Sequence, residues 1–318
     1  LLPLAQWESA NSVPPADPLI VDIKRHSLED GPGIRSVVFF KGCPLRCPFC
    51  HNPEAQAPEA EIAFSARHCV GCGECARVCP DGAIDLQSPG RINREACSRC
   101  GRCAEACPGG GLRRIGTHYS PADLAALLLR DLAFYRHSGG GVTLSGGECT
   151  MCPEYLEELL RLLKSASVAV AIQTSGLFDY AAFEKRVLPS LDLVYFDLKL
   201  ADPEAHARLL GAPNEVILRN LRRLIASRRV AVHPRIPLVP GLTATTANLA
   251  ALAEILRAAG AKQVSLLPYH AMGLEMYEQL GRPRPEAPDA SLSPAEEDRL
   301  RALFAELIAA QHGAPAAA

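Results

Sequence analysis

No run of about eighteen apolar residues occurs in the chain, so a membrane-spanning helix is not expected. The apolar start Leu1-Leu2-Pro3-Leu4-Ala5 is too short for a secretion signal and lacks a basic flank, which makes a cytoplasmic location the default expectation. An excess of charge is missing too. The 33 Lys and Arg face 35 Asp and Glu, a formal net charge of -2, and this leaves no basic footprint for nucleic acid. Cysteine, by contrast, is plentiful. Thirteen cysteines in a chain without secretory features point away from disulfides and towards metal ligation in a reducing compartment.

At 318 residues and 48% hydrophobic content the chain can form one large α/β domain with a small insertion. Residues 1–18, with Pro3, Pro14, Pro15 and Pro18, and the C-terminal Gly-Ala-Pro-Ala-Ala-Ala lack periodicity and are expected to be loose. From Leu19 onward, six candidate strands at 37–40, 142–144, 168–172, 193–196, 229–233 and 264–267 alternate with longer helical patterns. The helices are expected near 121–136, 154–166, 179–188, 215–227, 247–259 and 294–311, a βαβ rhythm that predicts a parallel sheet with right-handed crossovers. Six units fall short of the eight that close a barrel. The expected fold is therefore α/β, a partial (β/α)6 TIM-type barrel over 19–59 and 116–313, with its active residues at the C-terminal strand ends. The apolar stripe of the last helix is read as covering the barrel.

Residues 60–115 break the rhythm with eight cysteines and two Cys-Pro pairs, and are read as a small inserted module. Cys69, Cys72, Cys75 and Cys79-Pro80 have the spacing CxxCxxCxxxCP, and Cys97, Cys100, Cys103 and Cys107-Pro108 repeat it. This is the bacterial two-cluster ferredoxin pattern, in which three close cysteines hold one cubane and the distant fourth ligates the other. Cys107 is thus expected to complete the first 4Fe-4S site and Cys79 the second. A pair of zinc sites is the competing reading, although tetrahedral zinc does not need a crossed three-plus-one repeat. Electron transfer is the natural role for such clusters, and a module this small should unfold without them.

After the strand-like Val37-Val38-Phe39-Phe40 comes a second kind of site, Cys43, Cys47 and Cys50 in a CxxxCxxC loop. Three thiolates leave one iron of a cubane open, and an open position suits chelation of an amino acid through its amino and carboxylate groups. The blander alternative is a fourth protein ligand, from His51 or from one of the two cysteines outside the motifs.

The CxxxCxxC loop resembles the signature of the radical S-adenosylmethionine (SAM) superfamily. Its surroundings, Asp30-Gly31-Pro32-Gly33-Ile34-Arg35, Gly42-Cys43-Pro44-Leu45-Arg46-Cys47 and His51-Asn52-Pro53-Glu54, resemble the glycyl-radical-enzyme activating enzymes in particular. The resemblance runs from about residue 20 to 282. It implies a partial barrel carrying a two-cluster insertion, three 4Fe-4S clusters in all, and reductive cleavage of SAM to methionine and a 5'-deoxyadenosyl radical. That radical would take a hydrogen from one glycine of a partner glycyl radical enzyme, with flavodoxin or ferredoxin as reductant. A radical SAM enzyme acting on a small molecule or on another peptide site is the alternative, and a bare electron carrier the third reading.

By the same resemblance, Gly146, Gly147 and Glu148 are expected to hold the amino group of SAM, Lys199 its carboxylate and His270 its adenosine, with Thr174 and Asp197 lining the pocket. Paired glycines allow close backbone approach, and an acidic side chain suits an ammonium. No protein general acid or base is required, because the chemistry belongs to SAM and its cluster. Arg235 is read either as a contact to SAM or the incoming glycine loop, or as a structural ion pair. Two departures stand out. Gln173 replaces a commoner acidic residue, which puts a cation site there in doubt, and Cys149 with Cys152 forms a CxxC that is either two unligated thiols or a redox pair. Exposed clusters should make the protein oxygen-sensitive and suited to anaerobic conditions.

Overall fold

The computed structural model describes residues 17–309, so the expectations for residues 1–16 and for the last residues of the chain lie outside the described residues. The fold begins with an antiparallel hairpin of β1 (Leu19–Ser27) and β2 (Arg35–Phe40), with Ile20 opposite Phe40. The connection through Asp30-Gly31-Pro32-Gly33 presses on the rest of the sheet. Gly33 has a φ of 70°, and a Cβ there would lie 2.4 Å from the Gly140 backbone nitrogen, so only glycine fits.

The inserted segment follows as β3 (Glu61–Phe64), α1 (Glu74–Val78), α2 (Arg102–Glu105) and β4 (Leu112–Ile115). β3 and β4 form their own two-stranded antiparallel sheet, and α1 packs on α2. Each short helix starts directly after a left-handed glycine of its cysteine motif, Gly73 at φ 78° and Gly101 at φ 88°, so the two motifs fold alike.

The main sheet resumes with β5 (Thr117–His118), followed by α3 (Pro121–Leu128), α4 (Leu132–Ser138), β6 (Gly141–Gly146), α5 (Pro153–Ser165) and β7 (Ala169–Thr174). Next come α6 (Tyr180–Arg186), β8 (Leu193–Asp197), α7 (Pro203–Leu210), α8 (Glu215–Ser227) and β9 (Ala231–Leu238). The chain closes with α9 (Thr246–Ala259), β10 (Ser265–Pro268), α10 (Leu274–Gln279) and α11 (Pro294–Ala309). The strand order is β10-β9-β8-β7-β6-β2-β1-β5, and every pair from β2 to β10 is parallel. The parallel strands stay in sequence order without reversal, which is the order of a (β/α) barrel and not of a doubly wound sheet. Consecutive crossover helices pack side by side, α3 on α5, α5 on α6 and α8 on α9, while α11 covers α9. Among the described residues no helix is long and apolar enough to cross a membrane.

Differences from the sequence expectations have local causes. The helix expected over 121–136 is split by a 3-10 turn at Leu129–Asp131, which turns Asp131 inward to accept from Ser36 Oγ at 2.9 Å and Arg25 Nε at 2.7 Å. β9 runs on to Leu238 although Pro234 and Pro237 argue for stopping it at 233. Residues preceding proline favour extended backbone, so the two prolines stiffen the strand. α7, α10 and the antiparallel pair β1 and β5 lie outside the six-unit rhythm.

The two faces of the sheet differ in chemistry. Val38, Phe40, Val142, Leu144, Val170, Ile172, Val194, Phe196, Ile236, Leu238 and Leu266 alternate along the strands and are buried in the main apolar cluster. α5 meets this cluster with Tyr155, Leu156, Leu159, Leu160 and Leu163, a stripe at helical spacing. The intervening strand positions mix apolar residues such as Val37, Phe39 and Leu267 with a polar set of Arg35, Thr143, Ser145, Gln173, Tyr195, Asp197, His233, Arg235 and Ser265. A parallel sheet usually buries both faces in apolar layers, so a polar inner face marks a surface built for binding.

Candidate functional site

The strand ends that carry this polar face are joined to the three-cysteine loop by the backbone. Gly42 N donates to Ala55 O at 2.8 Å and Cys43 N to Gln56 O at 2.9 Å, which closes the loop on itself. Gly147 N donates to Phe40 O at 2.8 Å and Glu148 N to Gly42 O at 2.7 Å, which ties the loop after β6 to it. A Cβ on Gly147 would lie 2.0 Å from Gly42 O and 2.5 Å from Ala55 O. The glycine is therefore required by this close approach of two loops, whatever else binds there.

Cys43, Cys47 and Cys50 line one cleft of about 270 Å³ at the C-terminal ends of the parallel strands, together with Gly146, Gly147, Thr174, Asp197 and Lys199. Seven named positions of the resemblance bear on this cleft, and five of them are among its walls. The other two sit differently. Glu148 is buried, and its carboxylate accepts from Thr150 Oγ1 at 2.7 Å, Thr174 Oγ1 at 2.8 Å, Ser175 N at 2.7 Å and Ser175 Oγ at 2.6 Å. Such a saturated carboxylate binds the ends of β6 and β7 together. His270 is exposed and stacks on His51, ring centroids 3.9 Å apart at 16°, while the neighbouring Tyr269 lines the cleft.

One edge of the cleft is strongly charged. Arg235 Nε donates to Asp197 Oδ1 at 2.9 Å, and Lys199 Nζ lies 3.7 Å from Asp197 Oδ2. Burial alone would raise the Asp197 carboxyl, but Arg235 and Lys199 hold it below its ordinary value. Burial would likewise lower the Lys199 ammonium, and Asp197, with the Cys47 and Cys43 thiols beyond it, holds it above. Two cations against one carboxylate leave one positive charge in surplus, suited to a ligand carboxylate. Arg235 also lies 4.8 Å over the Tyr195 ring, so it is both an ion-pair partner and a wall of the cleft.

Gln173 bridges the inner face, accepting from Ser145 Oγ at 2.7 Å and donating to Asp30 Oδ1 at 3.0 Å. Cys149 and Cys152 belong to the apolar core rather than to the cleft. Burial pushes the Cys149 thiol well above its ordinary value and the Cys152 thiol up to about 11, so neither is set up as a reactive thiolate. Sequence reasoning missed Gln56 and Tyr277, which brace the cysteine loop from outside. Gln56 Nε2 donates to Tyr277 Oη at 3.1 Å, and Tyr277 Oη donates to Cys47 O at 3.4 Å. No local pattern flags a pair 221 residues apart.

In the inserted segment, Cys69, Cys72, Cys75 and Cys107 line one small cavity. Cys103 is not among that cavity's walls; burial pushes its thiol up to about 11, with Cys97, Cys100 and Cys79 nearby adding to the shift. Among the described residues no three His, Cys, Asp or Glu side chains converge on a single metal ion. A cubane spreads its thiolates over different irons and asks for cysteines around a cavity.

A profile of the Radical SAM superfamily matches residues 37–253. The chain is 43% identical over 274 residues to the benzylsuccinate synthase activating enzyme of Thauera aromatica, covering 83% of this chain and 82% of that one. It is 38% identical to the choline trimethylamine-lyase activating enzyme of Oleidesulfovibrio alaskensis, over 89% of this chain and 94% of that one. Among solved structures, a radical SAM methyltransferase from Sphaerobacter thermophilus aligns with a TM-score of 0.50 at 16% identity, over 96% of this chain and 80% of that one, a likeness of fold.

Proposed function

The chain belongs to the radical SAM superfamily and, within it, to the glycyl-radical-enzyme activating enzymes, and from that premise we propose how its own residues carry out the activation. When a 4Fe-4S cluster and SAM are bound, the chemistry supplied is one-electron cleavage of SAM to methionine and a 5'-deoxyadenosyl radical, which abstracts hydrogen from a glycine of the partner enzyme. Cys43, Cys47 and Cys50 would hold the cluster. The observation that carries this reading is their convergence, as three cysteines, on the cleft that Gly146, Gly147 and Lys199 share.

Lys199, kept protonated beside Asp197, would take the carboxylate of SAM, and the backbone of Gly146 and Gly147 its amino group. Glu148 supports this from behind by fixing Thr174 and Ser175, and Asp197 with Arg235 keeps the charged edge in place. His270, with His51 stacked on it, would flank the adenosine from the rim, beside the Tyr269 wall. The open mouth and polar inner face suit a peptide loop as substrate, since a partial barrel leaves one side accessible.

The inserted segment would hold two further 4Fe-4S clusters, one on Cys69, Cys72, Cys75 and Cys107 and one on Cys97, Cys100, Cys103 and Cys79. The cavity shared by the first four, and the influence of Cys97, Cys100 and Cys79 on the Cys103 thiol, support this crossed assignment. Electrons from a flavodoxin- or ferredoxin-type reductant would pass through them to the three-cysteine loop.

The test is anaerobic reconstitution, reduction and addition of SAM, with 5'-deoxyadenosine followed by chromatography. A Cys43→Ala, Cys47→Ala, Cys50→Ala variant with intact ferredoxin motifs is compared beside it. Product from the parent alone supports the reading, and a glycyl radical signal on an added partner completes it. Equal product from both would overturn the assignment of the site.

A further inference from the structure

The two cysteine groups of the inserted segment repeat one spacing, yet the side chains around them differ. Arg91 is built into the wall of the cavity lined by Cys69, Cys72, Cys75 and Cys107. Its backbone sits in a left-handed turn at φ 60°, with its carbonyl accepting from Asp85 N at 2.8 Å, beside the single bridge between Ile84 and Ile92. Its guanidinium is then held on three sides. Nη1 donates to the Leu86 carbonyl at 3.0 Å, the carbon of the fork lies 5.5 Å over the Phe64 ring, and Nη2 donates to Cys69 Sγ at 3.6 Å. Among the described residues Arg91 has no carboxylate partner, so its charge is spent on the sulfur.

Among the described residues the other group has no such donor. Ala83 N donates to Cys79 Sγ at 3.3 Å and Arg99 N to Cys97 Sγ at 3.4 Å, both from the backbone. Leu112 N to Cys107 Sγ at 3.4 Å is the matching backbone contact on the first group. The guanidinium near Cys97 belongs to Arg94, and it donates instead to the carbonyls of Ile62 and Gln279. Backbone donors are thus common to both groups, and a cationic side-chain donor to sulfur is peculiar to the first.

We propose that Arg91 sets the potential of the cluster on Cys69, Cys72, Cys75 and Cys107, making it the more easily reduced of the two in the inserted segment. The proposal rests on the reading that this segment holds two iron–sulfur clusters. Reduction adds one electron from a low-potential donor to a cluster already rich in negative charge, with no bond made or broken and no proton required. A cation donating to a ligating sulfur stabilises the reduced form more than the oxidised one and raises the potential. Electrons delivered from outside therefore rest on this cluster before moving on. Arg91 acts through the sulfur and is a positioning residue rather than a catalytic one.

The full chain carrying Cys43→Ala, Cys47→Ala and Cys50→Ala, which removes the overlapping third signal, is reconstituted and its iron counted. It is then titrated with dithionite and followed by electron paramagnetic resonance. Arg91→Gln should shift the reduced-to-oxidised ratio of one cluster about tenfold towards oxidised at fixed poise, roughly 59 mV for a one-electron couple, and leave the other in place. Arg91→Lys, which keeps the charge on a flexible stem, should recover part of the shift. Arg99→Gln removes an exposed charge from the other motif and should move neither. Two titrating clusters that ignore Arg91→Gln, or that move equally with Arg99→Gln, would overturn the proposal alone. Loss of one cluster's iron in Arg91→Gln would make Arg91 an assembly residue and overturn it as well. Absence of the roughly eight irons expected in the starting chain would instead overturn the two-cluster reading, and the proposal with it.

Discussion

The parallel sheet and its helices bury one continuous apolar cluster that runs from Ile20 on β1 to Phe304 on α11, whereas among the described residues the segment inserted between β2 and β5 has a separate cluster of Ile62, Phe64, Cys103 and Leu112. In the barrel, alternating strand residues and helical stripes supply that cluster, so its fold follows from hydrophobic burial. Three large side chains cannot offset the conformational entropy of ordering a segment as long as 60–115. Packed on that small core are Ile84, Ile92, Ala104 and the four cysteines Cys69, Cys75, Cys97 and Cys107, so more than half of what surrounds it is thiol. One region is folded by what it excludes from water; the other, on the proposed reading of its cysteines, is folded by what its sulfurs bind. The seam between them combines a small apolar patch, where Ala63 and Ile115 pack with Leu280, Val21 and Met276, with a buried ionic contact. Lys41, whose side chain is 0% exposed, donates to Glu61 Oε2 at 2.7 Å, and Arg282 reaches Glu61 Oε1 at 2.5 Å.

Removing the iron is the harshest way to break this comparison. Anaerobic chelation should abolish hydrogen-exchange protection across 60–115 and leave β6 to β9 protected, because metal binding is folding free energy for such a module. Protection of 60–115 that survives chelation would place its stability in packing and erase the distinction. The seam should give the next largest effect. Glu61→Ala leaves the buried Lys41 ammonium without its carboxylate and should cost about 3–5 kcal/mol in denaturant unfolding. Pairing Glu61→Leu with Lys41→Met should recover part of that loss, since it removes the fully buried charge with its partner and leaves only the partly exposed Arg282 without a carboxylate.

The parallel α/β sheet was legible in the sequence because its signals are local. Each of the six parallel strands reads as a short β-rich run alternating with helical patterns, and β2, β6, β7, β8, β9 and β10 overlap those runs. The three-cysteine loop was legible for the same reason, since its ligand types and spacing sit within eight residues. β1 was harder to see, because Asp22, Lys24, Arg25 and His26 dilute its apolar pattern on an exposed part of the hairpin. α7 carried a readable start, Asp202 before Pro203, and its carboxylate does accept from Ala205 N at 2.6 Å. What no local pattern could give are the contacts between strand ends. Glu148 binds Thr174 and Ser175 from the next strand, Lys41 meets Glu61 across the start of the insertion, and His51 stacks on His270. These depend on which loops the sheet order brings together, and an acidic residue beside paired glycines looks the same in sequence whether it faces a ligand or a neighbouring loop.

A point change in each region sharpens the contrast further. Leu159 on α5 is fully buried among the barrel's apolar residues, so Leu159→Ala should cost about 2–5 kcal/mol through lost burial and the cavity left behind. Val70, beside Cys69, is 65% exposed, and Val70→Ser should stay within about 0.5 kcal/mol. Both are read by denaturant unfolding of the iron-loaded protein, and similar costs at the two positions would contradict a core confined to the barrel.

The smallest effect concerns acid and the barrel alone. Asp131 sits at the end of the sheet opposite the cleft, accepting from Arg25 and from Ser36, with His26 Nε2 3.4 Å away. The hydrogen bonds from Arg25 hold its carboxyl below the ordinary value of 3.8, with burial opposing them and Ser36 and His26 adding to them. Because the folded value lies below the unfolded one, this stabilisation is fully present above that ordinary value and is lost as the pH falls through the lower folded value. Arg25 is partly exposed, so solvent screening keeps the contribution small. Asp131→Asn should therefore lower the stability of β1 and α4 slightly at neutral pH and by nothing once the wild-type carboxyl is protonated. Hydrogen exchange on those two elements at a series of pH values separates this from acid loss of the thiolate ligands, which would strip protection from 60–115 instead. Equal losses in Asp131→Asn at neutral and strongly acidic pH would mean that the side chain's shape, and not its charge, secures that end of the barrel.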